Sequence, residues 1–325
     1  MIAWLRQPHV KRRFTIAFNW ISVIGTLVAI WWFVRNLNVH QLGAAFGRVT
    51  AGPLVVAVLL GLVAHANRAL GWTVMLSPTY PVPYRRQVRY ELTAQAASVL
   101  MPARAGELLR VWLLRAEDVP ASTTLALIAV KKLFEGLGLA ALSLLALPLL
   151  TGLPGWLTSS IWVFAATMAA PVSGLVVGTR KIRCERADSR WGRFVGGLGF
   201  VRYNRRLAAA LGLAMVGELL DCAAVVASMY ALDIRFPLAA AAVILFVVDT
   251  SNLFPSGPAH AGTFEVGVLA AFDALHAPAA SAVAFAVIFH AQQVLSQLVV
   301  GVPLLLRVQM DRRRAPQHAT SSRNG

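Results

Sequence analysis

The stretch MPARAGELLR, residues 101–110, places two arginines and a glutamate inside a chain that is otherwise strongly apolar. Apolar pieces of about a dozen residues flank it, and each is too short to cross a hydrocarbon core of about 30 Å at about 1.5 Å per residue. Pro102 and Gly106 break the helix between these pieces. Residues 90–114 are therefore predicted to form a re-entrant helical hairpin. A near copy of the break, PAHAG, recurs at residues 258–262.

The composition around this stretch is that of a membrane protein. Of the 325 residues, 58% are hydrophobic and 14% are charged, and the mean hydropathy is +0.65. Soluble domains carry about 25% charged residues, so the composition excludes a soluble fold. The apolar runs are continuous over about 20 residues, as in transmembrane helices, whereas a β-barrel shows short alternating segments. The predicted fold class is an all-α polytopic membrane protein.

The spacing of these runs predicts eight helical hydrophobic units. Two of them are re-entrant hairpins, at 90–114 and 238–275. The other six are full spans, predicted at about 14–34, 53–76, 122–150, 155–178, 207–232 and 279–306. The first span is too long for the core of a signal peptide, so we expect it to be retained. The polar tail at 307–325 is expected to be disordered in the cytoplasm.

The net charge of +16 reflects membrane topology rather than nucleic-acid binding. With the N-terminus inside, 22 lysines and arginines fall on the cytoplasmic side and three on the outside, in agreement with the positive-inside rule. Both termini are therefore expected in the cytoplasm. A basic loop at 179–206 holds nine of these cations, and we expect it to contact the anionic cytoplasmic leaflet. No nucleic-acid partner is expected.

The order of the units is the same in both halves of a single membrane domain that covers residues 1–325. The units follow in the order span, span, hairpin, span in residues 1–150 and again in residues 155–306. The first hairpin is expected to enter the membrane from the cytoplasm and the second from outside. This order predicts an inverted-topology repeat, in which broken helices meet near the membrane midplane. Both arms of 238–275 could instead cross the membrane completely. The number of lysines and arginines on each side would then be the same, and the two halves would resemble each other less closely.

Arg104, Glu107 and Arg110 form the first candidate site. Each charge at mid-bilayer costs about 2.5–3.5 kcal/mol, so these side chains must pair, line a wet cavity or hold a ligand. Glu107 opens a half-helix whose free N–H groups favour an anion, and arginine beside such an end suits a phosphate. The alternatives are a salt bridge within the hairpin, or an arginine that extends to the headgroups.

A second cluster lies in the span at 122–150. Lys131 and Lys132 are spaced i,i+4 and i,i+3 from Glu135, which puts the three on one face of a helix. Lys132 and Glu135 are predicted to line the same substrate cavity as the hairpin residues. The alternative is that the cluster lies in the membrane interface.

Glu218 and Asp221 lie one helical turn apart in the fifth span, with no cation near them in the sequence. Carboxylates that face lipid are unfavourable. We therefore expect them to meet a basic residue of another helix, with Arg68 and Lys132 as candidates. Together with Asp249, these two carboxyl groups are candidates for ion or proton coupling.

Polar side chains of different chemistry surround the second break. His260 and Glu265 are predicted to contact substrate, and His290 is a further candidate for proton coupling. For both histidines the alternative is a hydrogen-bonded core residue. The sequence shows no metal-ligand spacing, nucleotide loop or catalytic constellation, so neither a cofactor nor an enzymatic activity is expected.

Taken in order, these motifs resemble the flippase-like transmembrane domain of lysylphosphatidylglycerol synthases. The family motif with proline, arginine, Gly-Glu and a second arginine is present as PARAGELLR at 102–110. A later family motif, with proline, glycine and glutamate before the last span, is present as PAHAGTFE at 258–265. The span motif is present as KKLFE at 131–135, with Lys131 where the family usually has glutamate. The soluble aminoacyl-transfer domain of the synthases is not expected, so lysyl transfer is not implied.

The resemblance implies movement of a lipid, anionic or with a modified headgroup, between the leaflets of a bacterial inner membrane. Under this hypothesis Arg104 and Arg110 hold the headgroup phosphate, while Glu107 and Glu265 act as gating or counter-ion groups. Two alternatives stay open, an ion-coupled secondary transporter of a small anionic molecule and a non-transporting partner of a lipid-modifying enzyme. An oligomer is compatible with each of them.

Overall fold

The computed structural model describes Gly43, Gly47 and residues 49–77, 79–100, 105–181, 198–254 and 260–314. The predicted first span at 14–34, most of the basic loop at 179–206 and the end of the tail at 307–325 lie outside the described residues, as does Arg104. Predictions for these parts of the chain therefore stay predictions.

Every regular element in the described part is helical, which confirms the all-α prediction. The α-helices are α1 (Ala51–Leu76), α2 (Tyr84–Leu100), α3 (Ala105–Arg115), α4 (Ala121–Ala146), α5 (Gly155–Lys181), α6 (Asn204–Ala231), α7 (Leu238–Ser251), α8 (Thr263–Ala274) and α9 (Ala279–Arg314). Short 3-10 turns at Leu147–Leu149 and Gly199–Arg202 extend α4 and precede α6.

Four of these helices are long and apolar enough to cross a membrane, namely α1, α5, α6 and α9. Helix α4 has 26 residues, which is about 39 Å at 1.5 Å per residue, but it carries Lys131, Lys132 and Glu135. The chain is thus a multi-pass membrane protein. Large apolar side chains such as Trp162 and Val163 are 62% and 66% exposed on the outer surface, where lipid would cover them.

The first predicted hairpin is present as two short helices that run antiparallel. Near the break, Gly106 of α3 lies against Ala94 and Ser98 of α2. At the open end, Glu117 accepts two hydrogen bonds from Nη1 of Arg86 at 2.9 and 2.7 Å. The contact at Gly106 is so close that a methyl group there would collide with the Ala94 carbonyl oxygen and the Ser98 hydroxyl. Gly106 therefore allows α3 to pack tightly on α2.

The second hairpin, of α7 and α8, is built in the same way. Gly267 of α8 lies against Ser251 and Val248 of α7, again with no room for a methyl group. Helix α8 begins after Gly262, whose φ of 90° is a conformation that favours glycine. The Gly262 N–H donates to Oε2 of Glu265 at 2.6 Å, so Glu265 caps the first turn of α8.

The remaining helices hold the hairpins in place. Helices α1 and α6 lie side by side and run antiparallel, with the Thr50 N–H donating to the Ala231 carbonyl oxygen at 2.9 Å and the Asn67 amide to the Leu213 carbonyl oxygen at 2.7 Å. The first hairpin packs through α2 on α9, and the second packs through α7 on α4. Each hairpin therefore rests on the last long helix of the other half.

Gly106→Ala is expected to destabilise the fold, because the added methyl group overlaps atoms of α2. Overpacking of this kind costs about 1–3 kcal/mol. The midpoint of thermal unfolding, followed by circular dichroism on the detergent-purified protein, should fall. Gly174→Ala is the matched control, since a methyl group there meets nothing within 4 Å and alanine favours a helix. Equal midpoints in the two variants would contradict the close approach of α2 and α3.

Candidate functional site

The helices enclose a cavity of about 440 Å³ that is lined by residues of both hairpins and of α1, α4, α5, α6 and α9. Its charged and histidine lining residues are His65, Arg68, Glu91, Glu107, Arg110, Lys131, Lys132, Glu135, Glu218, Asp221, Asp249 and His260. Helix α9 adds the amides of Gln292, Gln293 and Gln297. The cavity thus brings together the described residues predicted for substrate binding and coupling, apart from Glu265 and His290.

Arg110 pairs within the first hairpin. Its Nη2 donates to Oε2 of Glu91 on α2 at 2.5 Å, with side-chain exposures of 4% and 1%. The guanidinium lies over the ring of Trp72, 4.5 Å from the centroid. Removing two charges from water is unfavourable unless they pair closely, and this contact supplies the pairing. The geometry favours the alternative in which Arg110 joins the two arms by a salt bridge.

A second network joins three long helices through Arg68 of α1. Its Nη2 forms an ion pair with Asp221 of α6, and its Nε lies 3.8 Å from Oε1 of Glu135 on α4. Glu135 also accepts from Lys131 and, at 3.0 Å, from Lys132. The predicted partnership of Asp221 with Arg68 is confirmed, as are the i,i+3 and i,i+4 pairs on α4. The prediction of a cation beside Glu218 as well is wrong for the described part of the chain, since Arg68 and Lys132 pair with other carboxylates. Lys132 keeps 56% of its side chain exposed, so its amine has further donors available.

Three carboxyl groups of the cavity form no ion pair within the described part of the chain. They are Glu107 at the start of α3, Glu218 on α6 and Asp249 on α7. Counted over the described lining residues, six carboxyl groups face four cations. The lining is therefore more acidic than the motif at 102–110 predicts, because the arginine of α3 is already neutralised by Glu91.

Glu265 and His290 are not among the residues that line the cavity, and they pair with each other. Nδ1 of His290 shares a hydrogen bond with Oε1 of Glu265 at 2.6 Å, and the imidazole packs on the ring of Phe264, with centroids 4.5 Å apart. The pair connects α8 to α9. His260, by contrast, does line the cavity, in a backbone conformation with a φ of 60°.

The sequence analysis did not single out Glu91, His65 and Trp72, although all three line the cavity. A signal for Glu91 was present. In a hairpin with its tip near Met101, residues 91 and 110 are almost equally distant from the tip, so antiparallel arms bring them together. His65 is a neighbour of Glu91, since Nδ1 of His65 lies 4.0 Å from Oε1 of the Glu91 carboxylate. Its place in the cavity could be inferred only after that of Glu91.

Comparison with known proteins agrees with this architecture. The family model described as the lysylphosphatidylglycerol synthase TM region matches residues 19–301. The chain belongs to this family. The match covers both hairpins and every cavity-lining residue named above, and it confirms the resemblance found from the motifs. A search of curated proteins found no match to the chain. Membership of the lysylphosphatidylglycerol synthase TM family associates the protein with membrane lipids.

Arg110→Ala is expected to lower the free energy of unfolding by about 3–5 kcal/mol, because Glu91 stays buried without its cation. The double variant Glu91→Gln/Arg110→Gln should recover much of this loss. Denaturant titration in detergent measures both. The control is Arg235→Ala, since Arg235 pairs with Asp233 while 86% exposed and exposed pairs contribute about 0–1 kcal/mol. Similar losses for Arg110→Ala and Arg235→Ala would contradict the role of the buried pair.

Proposed function

We propose that the protein moves a membrane lipid between leaflets, with the headgroup in the cavity and the acyl chains in the bilayer, and that it does so without chemical change to the lipid. The observation that carries this proposal is a charge-lined cavity inside helices whose outer surface is apolar. Charged groups at membrane depth mark substrate pathways. Membership of a family associated with membrane lipids supports a lipid as the substrate.

The dimensions of the cavity support a headgroup as the occupant. A volume of about 440 Å³ lies in the range of ordinary small-molecule sites, about 300–1,000 Å³. It suits a polar headgroup but not two long acyl chains in addition. The chains would therefore stay in the hydrocarbon while the headgroup crosses.

The charges of the cavity favour a headgroup with both an anionic and a cationic group. Lys132 has an exposed amine that can donate to a phosphate oxygen. Glu107 and Asp249 form no ion pair within the described part and suit an ammonium group. Arg104, which precedes α3, is a further candidate for the phosphate. In this assignment Arg110 acts through Glu91 and keeps the hairpin in shape.

We further propose that the two hairpins are re-entrant and form an inverted repeat. The hairpin helices have 17, 11, 14 and 12 residues, or about 17–26 Å at 1.5 Å each, which is less than the hydrocarbon thickness of about 30 Å. Helices α1 and α6 occupy equivalent places in the two halves and pack antiparallel, as a two-fold axis in the membrane plane requires. The first hairpin packs on α9 and the second packs on α4. This crosswise packing has the same two-fold symmetry.

The positive-inside rule extends this proposal to orientation. Both termini and the basic loop at 179–206 would lie in the cytoplasm of a bacterial cell, on the inner membrane. The base of the first hairpin would then face the cytoplasm and that of the second the outside.

Cysteine labelling tests this orientation, in a background in which Cys184 and Cys222 are replaced by alanine. With a membrane-impermeant thiol reagent, cysteines at Arg85 and Arg115 should react only from the cytoplasmic side. Cysteines at Arg235 and Asp273 should react only from outside. All four side chains are exposed, so failure to react on the expected side reports topology rather than burial. Reaction of the first two positions from opposite sides would rule out a re-entrant first hairpin.

A lipid-translocation assay tests the function directly. Purified protein is placed in vesicles of phosphatidylethanolamine and phosphatidylglycerol that contain a trace of phosphatidylethanolamine with a fluorescent acyl chain, and a reductant bleaches the outer leaflet. Wild-type protein should expose the inner-leaflet probe to bleaching. Lys132→Gln and Glu107→Gln should slow this about tenfold or more, since a hydrogen bond to a charged group contributes about 1.5–3 kcal/mol. Asp273→Asn, on an exposed carboxylate outside the cavity lining, is the control.

Protein that leaves the inner-leaflet probe fully protected would contradict lipid translocation by this chain. Equal rates in the wild type and both cavity variants would instead contradict the assignment of the cavity as the headgroup site.

A further inference from the structure

Glu218 of α6 is a buried carboxyl group with an unsatisfied oxygen. The residue is 5% exposed, and its Oε2 has no solvent-accessible surface and no hydrogen-bond partner within the described part of the chain. Its side chain borders the large cavity and also a smaller cavity of about 20 Å³ behind it. A cavity of that size holds about one water molecule. Glu218 therefore contributes to the walls of both cavities.

The cations near Glu218 are already engaged by other carboxylates. From α1, Arg68 pairs with Asp221 and approaches Glu135. From α4, Lys131 and Lys132 both pair with Glu135. Buried acids without a cation of their own are costly to ionise, so the local charge has to be balanced in another way.

The other elements that pack on α6 bring no further cation to this point. Helix α7 contributes the carboxyl group of Asp249, and α9 contributes the uncharged amide of Gln292. Arg202 belongs to the 3-10 turn that packs against α6, but it precedes Glu218 by 16 residues, which is about four helical turns. Around Glu218, three cations thus face the four carboxyl groups of Glu135, Asp221, Glu218 and Asp249. Full ionisation of the cluster would leave one negative charge in excess.

The geometry limits which ligand can satisfy Oε2. Although Glu218 borders the cavity, Oε2 has almost no accessible surface, so an ammonium group or hydrated cation in the cavity does not reach this oxygen. The described residues also contain no group of three acidic, histidine or cysteine side chains placed to hold a metal ion. A proton needs no additional space, and a carboxylic acid has one O–H donor to offer.

We propose that Glu218 is a proton-binding site whose loading and release are coupled to lipid movement through the adjoining cavity. With the proton on Glu218, three cations balance three carboxylates. When the proton leaves to water, the carboxylate competes with Asp221, three residues away on the same face of α6, for the guanidinium of Arg68. Because Arg68 connects α1, α4 and α6, this competition changes the contacts between the two halves. The coupling to lipid rests on the proposed function, whereas the proton site does not.

Infrared difference spectroscopy tests the proton site without any transport. The purified wild-type protein should show the carbonyl stretch of a neutral carboxylic acid, and the band should shift on exchange into heavy water. The band should disappear in Glu218→Gln, shift in frequency in Glu218→Asp and persist unchanged in the exposed control Asp273→Asn. Circular dichroism and gel filtration show that each variant is folded. A band that survives in folded Glu218→Gln, or that does not move in Glu218→Asp, would overturn the assignment.

The coupling is tested in the vesicles that contain the chain-labelled phosphatidylethanolamine, with and without a pH difference across the membrane. The wild type and Asp273→Asn should show a rate that changes severalfold with the gradient. The rate of Glu218→Gln should be the same with and without it. A wild-type rate that ignores the gradient would overturn the coupling and leave lipid translocation standing. No translocation by the wild type would overturn the proposed function, and the infrared result would still decide the proton site.

Discussion

A charge in the middle of a membrane needs a partner, and this requirement organises the whole described structure. The pair of Arg110 and Glu91, 2.5 Å apart and almost completely buried, is its clearest expression. Neither side chain can face lipid, since each charge there costs several kcal/mol. Folding α3 back on α2 brings them together, so the same contact neutralises two charges and fixes the shape of the first hairpin. The unpaired charges are left to line the cavity.

The ion pairs and the glycines act together. Gly106 lets α3 approach α2 closely enough for the Arg110 side chain to reach Glu91, and Gly267 lets α8 approach α7 in the same way. Arg68 then connects α1 to α4 and α6. Apolar packing supplies most of the contact area but is non-directional. The short polar contacts decide which helix faces which, and residues of both hairpins line one cavity.

Sequence reasoning succeeded where the partners are local or the physical need is strong. The end of α2 at Leu100 and the start of α3 at Ala105 agree with the helix break read from the sequence. The Lys131–Glu135 pair follows from spacing alone, and the need of Asp221 for a cation identified Arg68 as a candidate partner. Glu91 was missed because its partner is 19 residues away, which only the antiparallel arms bring close. Glu265 was expected to contact substrate and His290 to couple protons, and their contact with each other across α8 and α9 could not be read from sequence spacing.

The charge balance of the cavity connects the two proposals. The arginine of α3 is neutralised by Glu91, and the cations of α1 and α4 by Asp221 and Glu135, so the described cavity is left with Glu107, Glu218 and Asp249. Glu107 and Asp249 suit a positive group on the ligand, whereas the Glu218 oxygen that no ligand can reach suits a proton. Under the two proposals, ligand and proton neutralise different members of one acidic set. Because those members interact electrostatically, binding of one would change the affinity for the other, and by thermodynamic linkage the effect would be reciprocal. An acidic cavity in which one carboxyl group has a buried, unsatisfied oxygen is therefore the physical basis of the proposed coupling.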